Sequence, residues 1–87
     1  MKKKEFKPII SFHPGVTLRE KLGEMGMSVE EFAKRIGEPE KTIQGIVRCV
    51  YSVDERLATS LEMGTGIPVH FWLAKQKNYN EYLSRKV

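Results

Sequence analysis

With a single cysteine, Cys49, the 87-residue sequence cannot form an internal disulfide, which suits a reducing cytoplasm. No run of about eighteen apolar residues is present, so a membrane-spanning helix is excluded. The stretch from Met1 to Phe12 lacks the continuous apolar core of a secretory signal. Alternation of apolar and polar residues, the mark of a half-buried strand, never reaches a convincing length, and neither an internal repeat nor a low-complexity linker occurs. Catalytic equipment is equally scarce: there is no Ser-His-Asp set, phosphate-cradling loop or zinc-peptidase signature. Glu30 and Glu31 are neighbours on a helix and point apart, and His13 and His70 lie in different segments with no Cys, Asp or Glu at ligand spacing. Neither an enzyme nor a metal or other cofactor is expected, and Cys49 reads as structural.

What is present is enough for one small core. A second core would need more chain than remains once the first has closed, so a single domain is expected. Lys and Arg outnumber Asp and Glu by 15 to 11, a balance that suits a polyanionic partner. Much of that excess sits in Lys2, Lys3, Lys4 and Lys7, so residues 1–12 read as a basic, partly flexible arm and residues 13–87 as a nearly balanced domain. A charged terminus is more often solvated than bound to phosphate.

Apolar residues recur at helical spacing in five segments. Pro14 and Gly15 open the first, carried by Val16, Leu18, Leu22 and Met25 and closed by Gly26, with His13 placed to help cap it. Ser28 and Glu31 form a capping box for the second, whose stripe is Val29, Phe32, Ala33 and Ile36. Gly37 can turn with positive φ, Pro39 fits the first position of the third helix, and Ile43, Ile46 and Val47 continue the pattern. That leaves Lys41, Gln44, Gly45 and Arg48 on the wet face. A second capping box is expected across Ser52, Val53, Asp54 and Glu55, ahead of Leu57, Ala58 and Leu61. Pro68 then starts a last helix reaching about Leu83, in which Phe71 and Trp72 are expected in the core.

Two short helices joined by a three- or four-residue turn containing glycine meet the requirement of a helix-turn-helix, in which the second helix is held across the first to enter a major groove. Ala33 is small where the pair crosses, Gly37 turns, and Phe32, Ile36, Ile43 and Ile46 close the inner faces. At this point the sequence resembles the Xre-type helix-turn-helix proteins and, among them, the HigA-like antitoxins. His13-Pro14-Gly15 with Leu18-Arg19-Glu20 resembles their opening, and Thr65-Gly66-Ile67-Pro68 with Phe71-Trp72-Leu73, Gln76, Asn78 and Tyr79 resembles their closing helix. The likeness runs from Phe12 to about Tyr82.

The resemblance implies an all-α, five-helix, lambda-repressor-like domain that dimerises, binds a palindromic operator in double-stranded DNA and represses its own transcription. It also implies a cognate toxin, one that cleaves messenger RNA, which the antitoxin neutralises. Carried over residue by residue, base-edge positions fall on Glu40, Lys41, Gln44 and Gly45, and phosphate positions near Ser28, Val29, Thr42 and Arg48. Lys41 can donate to guanine O6 or N7, Gln44 can pair with adenine, and Arg48 can neutralise a phosphate. Against the family's pattern, Val29 stands in place of the usual glutamine, Gly45 offers no side chain, Glu38 and Glu40 add negative charge, and Arg48-Cys49 replaces the usual Asn-Gly. These departures motivate a rival reading from another class: a helix-turn-helix module with little DNA affinity that serves as a protein-interaction domain, such as the front end of a longer antitoxin.

Overall fold

The computed structural model describes residues 13–86, so the lysine-rich arm lies outside the described residues. Five helices follow one another: α1 (Pro14–Met25), α2 (Val29–Ile36), α3 (Glu40–Val47), α4 (Glu55–Thr65) and α5 (Val69–Lys86). No strand occurs among the described residues. The all-α reading holds, element for element.

Each boundary has a local cause. His13 caps α1, its Nδ1 accepting from the Gly15 N–H at 2.8 Å. The expected box at α2 is complete: Ser28 Oγ accepts from the Glu31 N–H at 3.1 Å, and Glu31 Oε1 accepts from the Ser28 N–H at 3.0 Å. Gly37 ends α2 at φ 73°, a left-handed conformation that glycine adopts without a Cβ penalty. Three expectations need correction. Pro39 is the N-cap of α3 and not its first residue, being extended at ψ 141°. There is no second capping box: Asp54 alone caps α4 by accepting from the Leu57 N–H at 2.9 Å. And α5 begins at Val69, one residue after Pro68, whose carbonyl accepts from the Phe71 and Trp72 amides.

The core gathers Leu18, Leu22, Phe32, Ala33, Ile36, Ile43, Ile46, Leu57, Ala58, Leu61 and Trp72 from all five helices, with Val53 from the loop before α4. Burial of these faces, not helix propensity, holds helices as short as eight residues. Trp72 is fully buried and its indole N–H donates to the Ile67 carbonyl at 3.0 Å, so its polar atom is satisfied. Phe71 departs from expectation: it is 36% exposed, with its ring edge-on to that of Trp72. Consecutive residues on a helix point about 100° apart, and with Trp72 directed at the centre of the core the neighbouring ring falls at its rim.

Buried polar groups tie the helix ends together. Gln76 Oε1 accepts from the Val53 N–H at 2.8 Å while its Nε2 donates to Asn80, so the glutamine spans from α5 to the loop before α4. The His13 ring meets Tyr79 edge-on at 4.7 Å and hydrogen-bonds to the backbone of Tyr51. Since Nδ1 already accepts from Gly15, the bond to Tyr51 uses Nε2–H, which defines the neutral tautomer. Burial pushes the His13 pKa down, against the smaller upward pull of that Tyr51 bond.

Candidate nucleic-acid interface

Helices α2 and α3 are joined by the three residues Gly37, Glu38 and Pro39, and their inner faces are closed by Phe32, Ala33, Ile36, Ile43 and Ile46. Three contacts from outside the pair hold α3 in place. At its N-terminal side, the Glu38 side chain is only 4% exposed and accepts from both Arg56 nitrogens, at 2.7 and 3.3 Å, and from Ser60 Oγ at 2.7 Å. At its C-terminal end, Arg19 of α1 donates to the Val47 carbonyl at 2.8 Å, the place where a cation complements both an orphan carbonyl and the helix dipole. Along its flank, Gly15 lies so close that a Cβ there would overlap the Ile46 carbonyl oxygen.

The Glu38 geometry removes one objection to a polyanionic partner. Arg56 draws the Glu38 carboxyl below its usual range, Ser60 adds to that pull, and the paired guanidinium neutralises its charge. Glu38 is therefore a brace for the turn, not a repulsive group. Glu40 remains exposed at the start of α3.

Lys41, Gln44 and Arg48, spaced three and four residues apart, share one side of α3 and line a shallow depression of about 310 Å³. Lys41 and Arg48 are exposed and make no ion pair among the described residues, whereas Gln44 is half-buried. Gly45 lines the same depression but is not on the wet face as expected: it is buried under Tyr51, whose ring atoms lie 2.6 to 3.0 Å from where a Cβ would be.

The remaining candidates lie elsewhere. Thr42 is half-buried and outside that depression. Ser28 is exposed at the start of α2, but its Oγ and N–H are already engaged with Glu31, so a phosphate there would meet the Glu31 carboxylate. Val29 is partly buried against the core. Of the expected set, then, Lys41, Gln44 and Arg48 form one surface, while Ser28, Glu40 and Thr42 do not join it.

Tyr51 and Val50 are what sequence reasoning missed. After α3 the Cys49 N–H donates to the Ile46 carbonyl and the Val50 N–H to the Gly45 carbonyl, a Schellman turn with Cys49 at φ 65°. The Tyr51 N–H donates to the same Gly45 carbonyl at 3.1 Å, which brings Tyr51 back beside α3. One signal was available: glycine inside a short helix costs about 1 kcal/mol and asks for a packing reason. The turn that lacks its glycine keeps a left-handed shape all the same. Burial pushes the Cys49 thiol up and away from reactivity, with Arg19 opposing it.

Among the described residues no group of His, Cys, Asp or Glu could hold a metal ion, and no helix is long and apolar enough to cross a membrane. No protein-family model matches the chain, and no curated protein matches it. Among solved structures, the chain is similar to a Nostoc punctiforme protein described as a candidate antidote protein of a plasmid maintenance system. The two share 23% identity at a TM-score of 0.81, over 85% of this chain and 81% of that one. That likeness speaks to the fold, the all-α arrangement described above.

Proposed function

We propose that this protein is an antitoxin that also represses transcription, binding a palindromic operator as a dimer through α3 and neutralising a cognate, messenger-RNA-cleaving toxin. The observation that carries the DNA reading is the outer face of α3, where Lys41, Gln44 and Arg48 stand together with both cations unpaired among the described residues. Lys41 and Gln44 read base edges there, and Arg48 holds a phosphate. The antitoxin reading is supported by the shared fold of the Nostoc protein and by the two flanking sequence blocks that resemble HigA-like proteins. Gln76 and Tyr79 of the closing block, and His13 of the opening one, are also the residues that tie α5 and α1 to the loop after α3.

In a mobility-shift titration on its own promoter DNA, Lys41→Ala and Gln44→Ala each weaken specific binding by about 1–3 kcal/mol, the worth of a good bidentate base contact. Affinity falls steeply with added salt as counterions are released, and half-sites lie about 34–36 Å apart. Equal binding by both variants and the parent, or a flat salt dependence, overturns the reading.

A second reading has its own support. Exposed Glu40, and a Ser28 N-terminus already filled by Glu31, both disfavour phosphate contacts and suit a protein-interaction module. A neighbouring reading frame for a small basic toxin supports the antitoxin, whereas no such neighbour together with no promoter binding favours that module.

A further inference from the structure

Gly45 leaves α3 without a side chain at the centre of its outer face, and Tyr51 fills the space. The ring packs directly on Gly45, yet 48% of Tyr51 remains exposed, and beside it Val50 is 70% exposed. Both line the same depression as Lys41, Gln44 and Arg48. The arrangement is an apolar notch floored by Gly45, with donor-bearing side chains of positive charge at its edges. We propose that Tyr51 is a specificity-determining residue of this face, its ring receiving the 5-methyl group of a thymine while Lys41 and Gln44 bond the neighbouring base edges.

The chemistry selects that ligand. Base edges in the major groove present donors and acceptors throughout, and the thymine methyl is their one apolar group. An apolar notch bordered by two cations that are unpaired among the described residues therefore complements a thymine flanked by phosphates better than it complements an apolar peptide, which would leave both charges unanswered. Placement is also rigid. The Tyr51 backbone is anchored twice, through its N–H to the Gly45 carbonyl and by the buried His13, so the ring is presented to a partner with little left to order. A substituent at position 45 would collide with the ring, so the glycine and the tyrosine act as one reading element.

This inference rests on α3 entering a major groove, and the test separates the two claims. Duplexes are selected from a random pool by the protein and by its Tyr51→Ala and Tyr51→Phe variants, each checked for folding by thermal melting. Single thymines of the selected site are then replaced by deoxyuridine, which removes only the methyl. The parent is expected to select a thymine in each half-site, and the uracil swap there to weaken binding roughly fourfold, the worth of one buried methyl. Tyr51→Phe keeps that preference and Tyr51→Ala loses it. If the parent selects a site but no uracil swap weakens it, Tyr51 is not the reader, whether or not the alanine variant folds, and α3 binding stands. The same conclusion follows if folded Tyr51→Ala selects the same thymine. If the folded parent enriches no duplex at all, the DNA reading itself falls and this inference falls with it.

Discussion

Cys49 sits at φ 65°, where a Cβ crowds the following carbonyl, so the turn after α3 carries local strain that a glycine would not. Relief of that strain outweighs glycine's greater freedom in the unfolded chain. Cys49→Gly is therefore expected to stabilise the protein by about 0.5–1 kcal/mol, read as a higher urea midpoint at unchanged slope. An unchanged or lower midpoint would show that the partly buried thiol contributes more than the backbone loses. Glu38 makes the complementary point at this scale. A carboxylate that reads in the sequence as hostile to a polyanion is, in the fold, paired with Arg56 and Ser60 and almost out of solvent.

Between elements, the decisive contact is that of α1 with α3. Gly15 packs on the Ile46 carbonyl, and Arg19, one turn further along α1, caps the end of the same helix. The His13-Pro14-Gly15 sequence is thus a docking device: the histidine caps, the proline opens the helix, and the glycine admits the α3 backbone. Gly15→Ala places a methyl group where the Ile46 carbonyl oxygen is, and backbone cannot yield as a flexible side chain can. Overpacking of this kind costs about 3 kcal/mol or more, so the variant is expected to melt well below the parent. An alanine variant with a parental melting temperature would mean that α1 can shift without loss, and that the other contacts of α3 suffice to position it.

For the whole molecule, His13 is the group through which acidity acts. It joins α1, the Tyr51 loop and α5, and its burial favours the neutral ring, placing its folded pKa below the ordinary value near 6.5. Below that pH the unfolded chain takes up a proton that the folded chain refuses, so acidification draws the equilibrium toward unfolding. Its contribution is complete above about pH 6.5 and declines as pH falls from there toward the folded value. Denaturant titrations at about pH 7.5 and 5.5 should show this loss in the parent. His13→Asn, which retains an N-cap, is expected to be weaker at the higher pH yet nearly insensitive to the change. Equal sensitivity in both proteins would assign the effect to another group. Glu38, whose folded pKa is also lowered, adds its own loss only in more acid solution, because carboxylates titrate there.

Local chemistry determined much of this protein. The five helices, the Ser28–Glu31 box, the turn at Gly37 and the apolar stripes of α2 and α3 follow from residues within a turn or two of one another, so periodicity and capping suffice to place them. Lys41, Gln44 and Arg48 were legible for the same reason, since a spacing of three and four residues puts them on one side of any helix. Tertiary structure decided the rest. That Tyr51 covers Gly45, that Arg56 neutralises Glu38 across 18 residues and that Arg19 caps α3 across 28 are meetings of segments far apart in the chain. No periodicity encodes them, because they exist only once the core has closed and fixed which surfaces lie side by side.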